Sequence, residues 1–187
     1  YMDRCGEPEC RELITDDVVD AAHVKKIVGR GCKVRRLLKK LLALFPQLIS
    51  VQLTECDLSG ELPSDLLYAN PCLQVFDIAG NEVTTIPADF FDRTPELAAI
   101  DLADNQLQGP LLLTGDLAKV RYFSCAGNAG LTAILGAALP QLQICDVARC
   151  PALMVCEGLA SAQAPRIVFM HGTRLPADFG TALASKP

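Results

Sequence analysis

The sequence predicts an α/β fold, a short curved solenoid whose repeats share one parallel sheet. Two observations carry this prediction. A pattern of apolar residues recurs along the chain at spacings of 22 to 25 residues. In addition, half of the 187 residues are hydrophobic while only 5% are aromatic. This composition suits many thin core layers better than one large core, and stacked repeats bury such layers between neighbours.

The repeat is clearest in two neighbouring segments. LQVFDIAGNEV from Leu73 and LAAIDLADNQL from Leu97 share apolar residues at the first, fourth, sixth and eleventh places and Asn at the ninth. The shared pattern is L-x-x-L-x-L-x-x-N/C-x-L. The other copies, of which the last is degraded, start at Leu48, Val120, Leu142 and Ile167.

Each recurring place in the pattern has a structural reason. The fourth and sixth places alternate as a short strand requires, so both point into a core that the neighbouring repeats close. A polar side chain at the ninth place can bond backbone groups that would otherwise be buried without partners where the chain leaves the strand. The ninth-place residues are Cys56, Asn81, Asn105, Asn128 and Cys150.

On these residues the chain resembles the leucine-rich-repeat family over residues 46 to about 180. The segments DLSGELPSDL (57–66) and NQLQGPL (105–111) are similar to plant-type repeats, which favours a eukaryotic source. The copy from Ile167 has Gly172 and Leu175 where a leucine and an asparagine belong, so we expect a terminal cap there. The predicted divisions are a helical N-terminal flank and cap over 1–45, the solenoid over 46–180 and a tail over 181–187.

The N-terminal flank is predicted to be helical. Asp16 and Asp17 come first, Lys25 and Lys26 last and Gly29 after them, an order that suits a helix dipole and its C-cap. A second helix is predicted from about Lys33 to Phe45, with one apolar stripe. The residues of that stripe are Val34, Leu37, Leu38, Leu41 and Phe45. The opposite, basic side carries Lys33, Arg36, Lys39 and Lys40.

Two interpretations of this flank stay open. It can shield the open end of the first repeat, since solenoid ends need a polar cover. Alternatively, its basic side docks on an anionic membrane surface or an acidic subunit.

Charge is distributed unevenly along the chain. Residues 25–40 contain eight bases and no acid, whereas residues 41–187 contain seven bases and fifteen acids. The acidic solenoid argues against nucleic acid as a partner, because phosphate recognition needs a basic footprint. No apolar run approaches the roughly 18 residues of a membrane span, which argues against a transmembrane protein.

The nine cysteines do not indicate a metal site, since their spacings lack the CxxC pairs of common zinc sites. No metal and no cofactor is expected. For Cys5, Cys10 and Cys32, a disulfide, a metal site and free thiols all remain open.

The compartment is indicated only weakly. No Asn-x-Ser/Thr sequon and no signal peptide is present, although the chain opens at Tyr1 and a leader could already have been removed. We expect an intracellular or organellar setting, plastid or mitochondrion included, with an extracellular setting as the alternative.

Enzymatic activity is not expected. Only two histidines occur, His23 and His171, and no GxSxG, P-loop or HExxH motif is present. A cysteine-dependent enzyme built on a Cys–His pair is the remote alternative.

The resemblance implies a concave strand face for binding. In this family the third, fifth, seventh and eighth places point outward from that face. The fifth places then form an acidic ridge and the third places become more apolar toward the C-terminus, which together suit a protein partner with a basic or mixed basic and apolar surface. The predicted contact residues are Gln52, Asp77, Asp101, Asp104, Tyr122, Ser124, Ile144, Asp146, Phe169 and His171.

Two functions of different class follow. The first is a non-enzymatic protein-interaction module, or an accessory or scaffold subunit of a larger assembly. The second is a ligand-binding, receptor-like or surface-protein ectodomain fragment. A count of free thiols separates them, because an ectodomain is expected to hold its cysteines oxidised.

Overall fold

The structure, a computed structural model, describes residues 23–34, 38–136, 138–157 and 167–176 together with Phe179. These residues form twelve strands and one α-helix. In chain order the elements are β1 (Lys26–Arg30), α1 (Leu38–Leu44), β2 (Ser50–Thr54), β3 (Ser59–Glu61), β4 (Val75–Asp77), β5 (Glu82–Thr85), β6 (Ala99–Asp101), β7 (Gln108–Leu113), β8 (Tyr122–Ser124), β9 (Gly130–Gly136), β10 (Ile144–Asp146), β11 (Val155–Cys156) and β12 (Ile167–Phe169).

All strand pairs are parallel and belong to three sheets. A seven-stranded main sheet has the order β1-β2-β4-β6-β8-β10-β12, and two return sheets have the orders β3-β5 and β11-β9-β7. Strands of the main sheet alternate along the chain with α1 or the return strands, so each turn of the chain adds one main-sheet strand. The described residues therefore form a parallel-strand solenoid, which confirms the predicted repeat architecture.

The core is formed by the residues that the repeat pattern assigned to it. The fourth and sixth places are at most 1% exposed in five successive repeats: Val51 and Leu53, Phe76 and Ile78, Ile100 and Leu102, Phe123 and Cys125, Cys145 and Val147. Phe76, Phe90 and Phe91 pack together, with ring centroids 5.0 to 6.1 Å apart.

The ninth-place asparagines form a continuous hydrogen-bonded ladder. Asn81 Oδ1 accepts from the backbone N–H of Cys56 (2.8 Å) and of Leu58 (3.1 Å), one repeat earlier. Its amide group donates to the carbonyls of Leu53 (2.8 Å) and Ile78 (2.7 Å). Asn105 and Asn128 repeat this arrangement, each joining its own turn to the preceding one. The predicted role of the ninth place is confirmed at all three.

The eighth place is left-handed in every turn of the main sheet. A positive φ of 50 to 73° occurs at Gly31, Glu55, Gly80, Asp104, Gly127, Arg149 and Gly172. These positions are 22 to 25 residues apart, like the repeats themselves. The described residues therefore contribute to seven turns, one of them before the first predicted copy, and the pairing of Ile167 and Phe169 with β10 places the last copy two residues earlier than predicted.

The additional first turn corrects the predicted helix that was to end at Gly29. Residues 26–30 are a strand with alternating burial, and β1 pairs with β2 so that Ile27 faces Val51. The segment VKKIVGRGCKV from Val24 fits the repeat pattern, with Gly29 at the sixth place, Cys32 at the ninth and Val34 at the eleventh. The prediction of a helix was wrong for residues 26–29, because the bases and the glycine suggested the end of a capped helix while Gly29 stood where the strand pattern has a leucine; the part of that helix before residue 23 lies outside the described residues.

The second predicted helix is shorter than expected. Helix α1 spans Leu38–Leu44 instead of Lys33–Phe45, since Cys32 and Val34 belong to the turn that leaves β1. Leu38 and Leu42 are buried in the core, and Leu41 and Phe45 pack partly against it. The helix follows β1 as the return of the first turn, so a helical cap is not confirmed. Residues 1–22 and 35–37, with Asp16, Asp17, Arg36 and Leu37, lie outside the described residues.

The last turn is shifted by two residues from its predicted register. Ile144 pairs with Ile167 and Asp146 with Phe169, so Phe169 occupies a fifth place rather than a third. His171 follows at a seventh place rather than a fifth. Thr173 then stands at the ninth place, and its hydroxyl donates to the carbonyl of Met170 at 2.8 Å. Each ladder asparagine likewise donates to the carbonyl of the residue three positions before it. The prediction failed because threonine replaced the asparagine that marks the register.

Candidate functional site

The candidate site is the outward side of the main sheet, called here the main-sheet face. Strand pairing aligns the equivalent places of successive repeats across this face, and each aligned set is called a column. The third-place column is Lys26, Ser50, Val75, Ala99, Tyr122, Ile144 and Ile167. The fifth-place column is Val28, Gln52, Asp77, Asp101, Ser124, Asp146 and Phe169. The structure thus brings Gln52 and the three predicted fifth-place aspartates into one row across the strands.

Each of these aspartates also holds its own turn. Asp77 Oδ1 accepts from the N–H of Ala79, Asp101 Oδ1 from Ala103 and Asp146 Oδ1 from Ala148, all at 3.0 Å. This contact, two residues ahead along the backbone, is the Asx-turn arrangement. The acidic row therefore combines a charge that faces outward with a bond that shapes the backbone, a dual role that the sequence pattern did not reveal.

Asp101 lies at the centre of a polar network on three strands. The hydroxyl of Tyr122 donates to Asp101 Oδ2 at 3.0 Å. Burial, and secondarily the charge of Asp77, raise the pKa of Asp101 above its usual range. Burial followed by the charge of Asp101 raises the pKa of Tyr122 to about 12, so the phenol stays protonated and continues to donate at neutral pH.

Ser124 belongs to this network rather than to the exposed surface. Its side chain is 1% exposed and interacts with both Asp101 and Tyr122. The sequence had grouped it with the contact residues. Ser124 therefore stabilises the side chains of Asp101 and Tyr122 and offers no exposed group to a partner.

The C-terminal end of the face is apolar. Phe169 is 47% exposed and Ile167 is 45% exposed, next to the half-buried Ile144. Ile167 was missed by sequence reasoning because the last repeat was placed two residues too late. The recurring hydroxyl or amide at the ninth place, recognised at Thr173, would have corrected that register. Tyr122 is half-buried between this apolar cluster and the aspartates.

The rim of the face, where the strands end, is crossed by ion pairs. Asp104 binds Arg149 at 3.0 Å, two repeats away, and Arg30 binds Glu55 at 3.0 Å. The first pair passes over Gly127, where an added Cβ would lie 2.1 Å from Asp104 Oδ1. Asp104 was predicted to extend the acidic ridge, but its charge is matched at the rim by Arg149, which sequence reasoning did not select.

The remaining predicted residues are dispersed. His171 is exposed at a seventh place. On the N-terminal side, Lys39 binds Asp65, and Lys33 and Lys40 are exposed. Arg36 lies outside the described residues, so a single basic surface of all four predicted residues is not established.

The cysteines are part of the core. None of the seven described cysteines is bonded to another, and six of them are buried. Cys32 is one of the six, while Cys5 and Cys10 lie outside the described residues. Burial raises the pKa of Cys56 to about 11 and that of Cys156 to about 12, so these thiols stay protonated near neutral pH and are poor nucleophiles. In the described part of the chain, no group of three or more His, Cys, Asp or Glu side chains could hold a metal ion.

Stacked parallel strands, a ladder of buried ninth-place asparagines and a left-handed eighth place together define the leucine-rich-repeat fold. Among solved structures, a pollen receptor kinase 3 is similar with a TM-score of 0.64 and 23% identity, over 82% of this chain and 76% of its own. The ectodomain of the receptor kinase SOBIR1 from Arabidopsis thaliana gives a TM-score of 0.48 and 18% identity, over 81% of this chain and 69% of its own. The first likeness supports the fold.

The sequence comparisons add no family assignment. No protein-family model matches the chain, and no curated protein matches it. Within the described residues, no helix has the length and apolar character needed to cross a membrane.

Proposed function

We propose that this chain is a non-enzymatic protein-binding module that holds a partner on its main-sheet face. The observation that carries the proposal is the row of Asp77, Asp101 and Asp146, which stands beside an apolar cluster of Ile144, Ile167 and Phe169. Acidic side chains attract and orient a basic partner, while exposed apolar groups provide the contact area that anchors it. The partner is accordingly a protein with a basic or mixed basic and apolar surface.

The Asx turns determine how this proposal is tested. The triple variant Asp77→Asn, Asp101→Asn, Asp146→Asn removes three charges but retains an oxygen at each turn. We expect it to bind the protein that co-purifies with the wild-type chain at least about tenfold more weakly. Its Tm should stay within about 3 °C of wild type, since the turn contacts persist. Titration calorimetry with that partner and thermal unfolding measure the two effects.

A matched variant controls for net charge. Asp57, Glu61 and Glu82 are exposed and lie away from the main sheet. Changing them to Asn, Gln and Gln removes the same three charges, and binding should remain near the wild-type value. Equal weakening in both triple variants would contradict the proposed site, because long-range charge alone would then explain the loss.

The module has two candidate cellular settings, extracellular and intracellular. The likeness to a pollen receptor kinase supports the receptor-like ectodomain, and with it the extracellular alternative, over a scaffold or accessory subunit inside the cell. The unbonded, buried cysteines are the observation that favours the intracellular setting.

A thiol titration decides between these settings. The chain is isolated from its native source without reductant, unfolded in denaturant and reacted with a thiol reagent. An intracellular module should yield seven or more free thiols, corresponding to the seven unbonded cysteines of the described residues. Two or fewer would identify an oxidised, ectodomain-like protein, and the same preparation after reduction provides the full count as control.

A further inference from the structure

Two buried thiols lie next to each other in the first two turns of the solenoid. Cys32 and Cys56 occupy equivalent ninth places, each two residues beyond the paired Arg30 and Thr54. A Cβ on Gly29 would lie 3.5 Å from the sulfur of Cys32 and 3.6 Å from the sulfur of Cys56. The thiol of Cys56 also interacts with the backbone and with the thiol of Cys32. The two sulfur atoms are therefore neighbours across successive turns.

The spacing of these two residues suits a disulfide bond. Neighbouring strands of a sheet are about 4.8 Å apart, and a disulfide joins residues whose Cα atoms are about 4.4 to 6.8 Å apart. Gly29 stands at the sixth place, where the following turns have larger apolar residues, so its own side chain does not occupy the space beside the sulfur atoms. Cys32 donates to the carbonyl of Arg30 at 3.6 Å and Cys56 to that of Thr54 at 3.2 Å. These thiol bonds are weak, so little is lost when the sulfur atoms turn toward each other.

The position of β1 gives an oxidant access to this pair. Among the described residues, β1 pairs with β2 alone. Cys125 and Cys150 also interact with each other, but they follow β8 and β10, which have neighbouring strands on both sides. A strand at the edge of a sheet opens locally at a lower free energy than a central strand. Opening also removes the burial that raises the pKa of Cys56, so its reactive thiolate can form near neutral pH.

From this geometry we propose that Cys32 and Cys56 are a redox-active pair, which a low-molecular-weight disulfide such as oxidised glutathione converts into a disulfide bond between the first and second turns. One protein thiolate attacks the reagent, forms a mixed disulfide and releases one glutathione thiolate. The second protein thiolate attacks the mixed disulfide and releases the other. The two protein thiols are oxidised, their protons pass to the two glutathione molecules formed, and excess reduced glutathione reverses the exchange. The pair acts on the fold and does not depend on the proposed partner site.

The test treats the full, folded chain with oxidised glutathione, blocks the remaining thiols and cleaves the chain after Lys, Arg and Glu. This cleavage places Cys32 in residues 31–33 and Cys56 in residues 56–61, each without another cysteine. Mass spectrometry of the linked peptides therefore identifies the bond directly. Cys56→Ser removes the pair, and Cys72→Ser, which replaces a half-buried cysteine elsewhere in the chain, is the matched control.

We expect linked peptides from the wild type and from the Cys72→Ser chain, and none from the Cys56→Ser chain. The bond closes the loop between residues 32 and 56, so the Tm of the oxidised wild type should rise by at least about 4 °C. Reduced glutathione should return the Tm to its starting value. Cys125 and Cys150 should stay unlinked in the folded chain, because their strands are not at the edge of the sheet.

Three results would overturn the inference: a folded wild type that gives no bond between Cys32 and Cys56, a bond between Cys125 and Cys150 that forms equally fast, or an oxidised chain whose Tm is unchanged. None of these affects the capture of a protein partner, which the triple aspartate variant tests independently. Circular dichroism before treatment confirms that each chain is folded, and the central result needs only the wild type.

Discussion

Replacing Asn81 by alanine is expected to lower the free energy of unfolding by about 4 kcal/mol, the largest effect of any single polar substitution proposed for this protein. The side chain is 6% exposed and bonds the N–H groups of Cys56 and Leu58 together with two carbonyls. Alanine would take this partner from the N–H groups of Cys56 and Leu58 and from the carbonyl of Leu53, at about 1 to 3 kcal/mol each before relaxation or water entry, while the carbonyl of Ile78 keeps its bond from Asn105. Urea unfolding followed by circular dichroism measures the loss.

The chain supplies its own control for this experiment. Cysteine occupies the equivalent place at Cys56 and Cys150, where the thiol donates to carbonyls at 3.2 and 3.3 Å. Asn81→Cys should therefore be less damaging than Asn81→Ala, since its thiol retains one donor, although it loses the acceptor and one of the two amide N–H donors. If both variants unfold like wild type, the ladder does not contribute to stability as argued.

Replacing Phe91 by alanine is expected to cost about 3 to 5 kcal/mol. The ring is 1% exposed and meets Phe90 edge-on with centroids 5.0 Å apart and Phe76 at 6.1 Å. Its removal deletes buried apolar surface and leaves a cavity, because the stacked turns on either side limit collapse. Calorimetric unfolding should show a Tm lower by more than about 5 °C.

Phe169→Ala is the matched comparison, since the same ring is removed from a side chain that is 47% exposed. Its effect on stability should stay within about 0.5 kcal/mol. A loss at Phe91 no larger than at Phe169 would mean that the aromatic cluster is not the rigid centre of the core.

The sequence was sufficient for the core and the ladder because both depend on local periodicity. Residues such as Phe76 and Ile78 alternate as any buried strand does, and Asn81 recurs one repeat later as Asn105. The first strand was not recognised because Gly29 stands where a leucine is expected. The basic residues around Gly29 fit the end of a helix equally well. Only the pairing with β2 distinguishes a strand from a helix at this place.

The candidate site was less predictable than the core. The aspartates at 77, 101 and 146 were identified as outward-facing, but their bonds to the backbone depend on a turn geometry that no spacing encodes. The apolar end of the face was only partly found, since the register of the last turn requires Thr173 to be recognised as a substitute for asparagine. Long-range ion pairs such as Asp104 with Arg149 follow from the stacking of turns and leave no mark on either repeat alone.

The eighth places, where the backbone φ is positive, limit how repeats can be added to this chain. Glycine and a charged residue alternate strictly along it, with Gly31, Gly80, Gly127 and Gly172 separated by Glu55, Asp104 and Arg149. A Cβ on Gly80 would lie 3.2 Å from Glu55, and one on Gly127 would collide with Asp104, so the turn that follows each of these two charged residues is best served by glycine, whereas a Cβ on Gly31 would meet nothing within 4 Å. Duplicating or deleting one repeat would bring two charged turns or two glycines together. Between Glu55 and Gly127, the smallest unit that can be inserted while keeping this alternation is therefore a pair of repeats.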